Sequence, residues 1–342
     1  MKDSKRTLIT IALFLLFLGI YSFLVIRPYE NSTFATENDR GVRDDLEGTL
    51  DTIITGASHA EYGIFNTRVD AALGTLSYNL SGPWQSSYGT RMLLEKELDR
   101  NPIKKVYLVF SEGTFSVTKT TDRATGDIKI LPRLDGVSER IDYLIHAAAP
   151  TEIPEIYQDM VNRGFTYAKA LVTGDKINRV NASRRGFHGT KSKSVKLSKK
   201  NAAKKKNSET LDTSVLSYNV ENMDKIIELC KSRNVEIQVI VVPVSDRMIW
   251  ITEGWDTWYD FVKEYCEKHE IPLWDFNLHR DRFSILNDQD CYKDMSHLSY
   301  NGAKLFADLL IETIQKAEAG EDITADFYPT YQEMKQDSPY NQ

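Results

Sequence analysis

The sequence predicts an α/β fold, a parallel sheet covered by helices on both sides, preceded by one N-terminal transmembrane helix. Three observations lead there. Apolar, β-branched runs at 50–55, 104–110 and 235–242 read as strands of a buried sheet. Amphipathic stretches alternate with them, as the crossovers between parallel strands require. Residues 7–26 carry no charge and lie between Lys2, Lys5 and Arg6 on one side and Arg27-Pro28 on the other.

A helix over 7–26 would be about 30 Å long, the thickness of a bilayer core. A cleaved signal peptide has a shorter apolar core and a small-residue cleavage site close behind it, so a retained anchor is expected. The positive flank places residues 1–6 in the cytoplasm and the chain beyond 27 outside the plasma membrane. Residues 27–48 are polar and suit a juxtamembrane linker.

The first strand leads into Gly56-Ala57-Ser58-His59 and a helix over about 59–72. A second short strand is expected at 75–80, stopped by Gly82-Pro83. The spacing of Tyr88, Met92, Leu93 and Leu94 predicts a helix over about 86–99, and 104–110 is the third strand. From 112 to 215 the pattern loosens into an insertion with helices at about 135–149 and 155–171. Within it, 179–206 holds eleven Lys/Arg and no Asp/Glu, against a net charge of −6 for the whole chain. That stretch reads as a solvated loop or as a grip for an anionic polymer or phospholipid headgroups. Regular alternation returns with a helix at 218–233, a strand at 235–242, a helix at 255–269, a strand at 272–276 and a last helix burying Ala303, Phe306, Leu310 and Ile314. The folded domain is expected over 49–318, with 319–342 as a C-terminal tail. With 342 residues, 41% hydrophobic and 27% charged, the chain has the composition of a globular protein. Cys230, Cys266 and Cys291 are widely spaced and form no C-x-x-C, which fits three thiols or one disulfide and a thiol rather than a zinc site.

A strand feeding a Gly-x-Ser turn and a helix presents the hydroxyl of Ser58 at the carboxyl edge of a parallel sheet, where open α/β sheets carry ligand sites. The same pattern fits a serine that merely caps the helix. In the second half, Asp294 and His297 stand three residues apart before the last helix, so the carboxylate can hold one imidazole nitrogen and leave the other for a hydroxyl. A serine nucleophile requires that pair: a base for its proton and an acid fixing the base's tautomer. His59 adjoins Ser58, but a side chain at the start of that helix points away from the neighbouring Oγ. A metal site on Asp294, His297 and His59 lacks an H-x-x-x-H or a carboxylate cluster to accompany it. No metal, cofactor or nucleic acid is expected.

Gly-x-Ser after the first strand, with Asp294-x-x-His297-Leu298-x-x-x-Gly302 before the last helix, resembles the SGNH (GDSL-like) hydrolase superfamily over about 48–112 and 216–316. The resemblance implies a three-layer sandwich with about five strands in flavodoxin-like order. It makes Ser58 the nucleophile, His297 the base and Asp294 its orienting acid, with Gly82 where a second oxyanion donor stands. Two departures are visible. Ala57 replaces the usual Asp, and the Gly-x-Asn after the third strand, whose Asn donates to the oxyanion, is replaced by Ser111-Glu112-Gly113. Either Ser111 substitutes for that donor or the backbone N–H groups of Ser58 and Gly82 act alone. With its single anchor the chain looks most like the membrane-anchored branch, which includes alginate O-acetylation proteins and the D-alanyl transfer protein of teichoic-acid modification. That branch implies a serine esterase or O-acyltransferase acting on cell-envelope polymers beside a membrane-bound O-acyltransferase. The alternative is an assembly protein that keeps the fold and binds such an enzyme or a glycan without catalysis. Trp84, Tyr88, Trp250 and Trp255 are the aromatic residues expected near the site, as sugar-stacking platforms or as packing.

Overall fold

The computed structural model describes residues 7, 9–17, 19–20, 40–117, 124–134, 136–173, 184–191, 209–286 and 290–337. Five strands, β1 (Thr52–Gly56), β2 (Ser77–Asn79), β3 (Lys105–Phe110), β4 (Glu236–Val241) and β5 (Leu273–Asp275), form one sheet in the order β2-β1-β3-β4-β5. Every pairing is parallel, with Ile53 opposite Val106 and Val106 opposite Ile237. This is the flavodoxin-like order, in which β1 and β3 flank the point where the winding reverses.

Alternation along the strands builds two cores. Ile53, Val106, Leu108, Ile237 and Val239 face one side, where they meet α4 (Ser87–Arg100), α8 (Ser217–Ser232) and α10 (Trp255–Lys268). Ile54, Tyr107, Val109 and Ile240 face the other, against α2 (Ser58–Gly63), α3 (Asn66–Leu73) and α12 (Tyr300–Glu318), whose Ala303, Phe306, Leu310 and Ile314 are buried as their spacing predicts. Neither strand face is solvated, which is why the strands read as continuous apolar runs.

The helix expected over 59–72 is two helices. At Phe65 the backbone leaves helical geometry (ψ 74°), and the Asn66 N–H donates to the Ile64 carbonyl two residues back instead of continuing the ladder. The insertion contains α5 (Ala124–Ile130), α6 (Val137–His146) and α7 (Ile153–Thr173). Short helices of one to two turns lacked a legible pattern, among them α5, α9 (Asp246–Ile251) after Pro243, and α11 (Arg282–Ile285). Of the basic stretch, 179–183 and 192–206 lie outside the described residues. In the remainder, Arg185 pairs with Asp70 and donates to the Ser77 carbonyl, and its own carbonyl accepts from Asn79 N–H, so this segment covers the edge strand β2.

Before β1, helix α1 (Arg40–Asp45) carries the fully buried Arg43, paired with Glu97 and donating to the Arg133 carbonyl. Residues 7, 9–17 and 19–20 are helical, with Leu13, Phe14, Leu15, Leu16 and Phe17 exposed. Among the described residues no helix is long and apolar enough to cross a membrane. Residues 8, 18 and 21–26 of the apolar run lie outside the described residues. The three cysteines are buried free thiols.

Beyond Glu318 the chain returns to the core through α13 (Tyr331–Gln336), where the Tyr331 hydroxyl donates to Asp275 at 2.7 Å. Burial pushes the Asp275 carboxyl up to about 6, although bonds from Tyr331 and Asn277 oppose the shift. A folded value above the unfolded one, about 3.9, means that the folded state holds the extra proton. The stability linked to it is full in acid and declines as pH rises through about 6. Asp275→Asn is therefore expected to show a smaller fall in urea midpoint between about pH 4 and about pH 6 than the wild type; equal falls would exclude this linkage.

Candidate functional site

Ser58 opens α2 at the carboxyl end of β1. Its neighbour Ala57 occupies the N-cap position, with no side-chain cap, so Ser58 is not the capping residue. The turn depends on Gly56: its φ is 153°, and a Cβ there would lie 2.6 Å from the Val109 carbonyl oxygen on β3. Glu61, fully buried on α2, pairs with Lys129 of α5 at 3.1 Å and fixes the helix against the insertion.

His297 and Asp294 sit on the loop before α12. His297 Nε2 lies 2.7 Å from Ser58 Oγ, and His297 Nδ1 lies 2.8 Å from Asp294 Oδ1. The same Oδ1 accepts from the backbone N–H groups of Ser296 (3.0 Å) and His297 (2.9 Å). Burial by itself raises the Asp294 carboxyl, but bonds from the His297 ring and these N–H groups outweigh it and hold the carboxyl well below the usual carboxylate range. An ionised Asp294 keeps the proton on Nδ1, so Nε2 offers its lone pair to the Ser58 hydroxyl. Ser58, His297 and Asp294 thus form a hydrogen-bonded series drawn from the two ends of the domain.

Gly302 explains how the loop meets its helix. A Cβ at this position would lie 1.9 Å from the Cys291 carbonyl oxygen, whose second neighbour is the Ser299 N–H at 2.8 Å. Gly302→Ala is expected to cost about 1–3 kcal/mol and to move the loop away from Ser58. A fall in urea midpoint accompanied by slower reaction of Ser58 with a fluorophosphonate checks this; unchanged values for both would show that the loop adapts freely.

The series opens into a cavity of about 580 Å³. Ser111, Trp84 and Gln85 line it, as do Ser87 and Thr90 from the first turn of α4. Gly82 is buried but is not among the lining residues, whereas Pro83 is. Trp84, half exposed at φ 53°, stands on the cavity wall. Tyr88 does not. Ser86 caps α4; Ser87 and Thr90 line the cavity, while Tyr88 faces α6, where its hydroxyl donates to Asp142 and its ring stacks on His146. Trp250 and Trp255 are core residues, Trp255 stacked on Tyr331.

Sequence reasoning did not single out Tyr62, Glu112, Asp212, Asn219 or Lys293, all of which line the cavity. For Glu112 a signal was visible: it stands in the segment after β3 where the resemblance calls for an oxyanion donor. His59 does not approach Ser58 Oγ as a base; its ring packs against that of His297 with centroids 4.9 Å apart. Among the described residues no cluster of His, Cys, Asp and Glu is arranged to hold a metal ion.

No protein-family model matches the chain, and no curated protein matches it. Among solved structures, a provisionally named acylhydrolase from Bacteroides fragilis is 11% identical, with a TM-score of 0.38 over 81% of this chain and 94% of the other. A provisionally named platelet activating factor from Streptococcus pneumonia is 12% identical, with a TM-score of 0.36 over 89% of this chain and 99% of the other. Likeness at this level bears no weight for fold or function.

Proposed function

We propose that the protein is a serine esterase or O-acyltransferase acting on acyl esters of a cell-envelope polysaccharide or teichoic-acid-like polymer. The observation that carries this reading is the Ser58–His297–Asp294 series at the carboxyl edge of the sheet, facing a cavity. His297 Nε2 takes the Ser58 proton while Oγ attacks the acyl carbonyl. As the tetrahedral intermediate collapses, His297 returns that proton to the departing alcohol oxygen, leaving acyl-Ser58. Water or a polymer hydroxyl then gives its proton to His297, attacks the acyl carbon and releases Ser58, which recovers its proton from His297. Asp294 stays ionised throughout and stabilises the imidazolium. The oxyanion is received by the Ser58 backbone N–H and the Ser111 side chain, both from residues that line the cavity, whereas Gly82 is buried and does not line it. Trp84 offers a ring face for a sugar.

The apolar run 7–26 is proposed as a single-pass anchor in the plasma membrane, holding the domain outside, beside a membrane-bound O-acyltransferase that hands over or receives the acyl group. Mass spectrometry of envelope polymers from cells whose only copy is Ser58→Ala tests the enzymatic reading. Altered ester content is the expected result; polymer esters identical to the wild type's would overturn it.

A second reading rests on Glu112. A carboxylate beside the site, in the segment where an oxyanion donor is called for, disfavours developing negative charge. It fits a non-catalytic assembly protein that binds the acyltransferase or a glycan. In that case Ser58→Ala cells keep their ester content and only deletion of the whole protein changes it.

A further inference from the structure

We propose that His59 and Tyr62 are positioning residues that hold the imidazole of His297 in line with Ser58. The inference rests on Ser58 and His297 being nucleophile and base.

His297 arrives from a loop 239 residues away in sequence, and its hydrogen bonds fix only the two ring nitrogens. Together with the covalent bond at Cγ they set the mean plane of the ring, and packing against its face and edge limits how far it swings out of that plane. Two rings supply that packing. His59 lies 4.9 Å from His297, centroid to centroid, at 33°, and Tyr62 lies 5.3 Å away, edge-on at 69°. Both belong to α2, one and four positions after Ser58, so the helix that carries the nucleophile also carries the surface against which its base rests.

Each positioning ring has charged or aromatic neighbours of its own. Glu112 Oε2 stands 3.5 Å from His59 Nε2, on the loop after β3. Lys293 Nζ lies over the Tyr62 ring at 3.8 Å, and the Lys293 N–H donates to the His297 carbonyl at 2.9 Å. His188 meets Tyr62 edge-on at 5.2 Å. The charged and titratable groups around the His297 ring are therefore Asp294 and Lys293 from its own loop, His59 and Tyr62 from α2, and Glu112 and His188 behind those two. A cationic His59 would repel the imidazolium that His297 becomes during the reaction. Burial lowers the His59 pKa and outweighs the raising effect of Glu112, so at neutral pH His59 is uncharged and serves as a ring.

The test is the rate at which a fluorophosphonate labels Ser58 in the intact protein, measured across pH. Tyr62→Leu and His59→Leu remove a flat ring and are expected to slow labelling by about 10- to 100-fold at every pH, with circular dichroism unchanged. Tyr62→Phe and His59→Phe restore the ring and recover to within about threefold of wild type, with the shape of its pH profile. The two positions give independent comparisons if one leucine variant fails to fold. Leucine variants labelled at the wild-type rate would overturn the proposal. So would phenylalanine variants as slow as the leucine ones, since a ring without nitrogen or hydroxyl would then not suffice. Absence of labelling in the wild type would instead contradict the reading of Ser58 as nucleophile.

Discussion

Ser58→Ala is expected to lower turnover of a small acyl ester by on the order of 10⁴-fold or more, with the fold intact. The substitution removes one oxygen at the mouth of a cavity and leaves His297 bonded to Asp294 at 2.8 Å. It takes away no packing from either core, because Ser58 belongs to neither apolar cluster. Hydrolysis of p-nitrophenyl acetate, with circular dichroism as the control for folding, measures the effect. Turnover retained within tenfold would place the nucleophile elsewhere.

The second large effect is expected from Asp294→Asn, on the order of 10⁴-fold in kcat. Asparagine keeps the shape but presents an amide that can donate to Nδ1, which drives the ring proton to Nε2, where it faces Ser58 and leaves no lone pair for the hydroxyl. The sign with pH follows from the lowered Asp294 carboxyl. A folded value below the ordinary one means the carboxylate's contribution is full above the usual carboxylate range and is lost only as pH falls through the depressed value. Protonation of Asp294 should therefore not limit wild-type activity in mild acid. Asp294→Asn should be impaired on the whole plateau, not merely displaced along the pH axis. A variant matching the wild type at high pH would show that Asp294 does not set the tautomer.

The sheet and the series were legible for a common reason: both are written in short-range patterns. The strands 105–110 and 236–241 are apolar runs because both faces are covered, and the last helix shows its buried stripe at 303, 306, 310 and 314. Gly56, Ser58, Asp294, His297 and Gly302 keep fixed local spacings that the parallel topology brings together. What stayed hidden depends on long-range packing. The break at Phe65 leaves no mark in composition, and the roles of His59 and Tyr62 depend on a loop 239 residues from Ser58. Tyr88 stands one position after Ser87, about 100° further round the helix, so Ser87 lines the cavity while the Tyr88 ring lies against α6. Gly82 was placed by the resemblance alone, and its neighbours Pro83 and Trp84 reach the cavity instead.

The most direct measurement is covalent labelling of the intact protein with a fluorophosphonate, followed by mapping of the adduct by mass spectrometry. The Ser58–His297–Asp294 series predicts one adduct per chain, on Ser58, formed at least about 100-fold more slowly in His297→Ala. No adduct on Ser58, or an adduct that forms equally fast without His297, would contradict it.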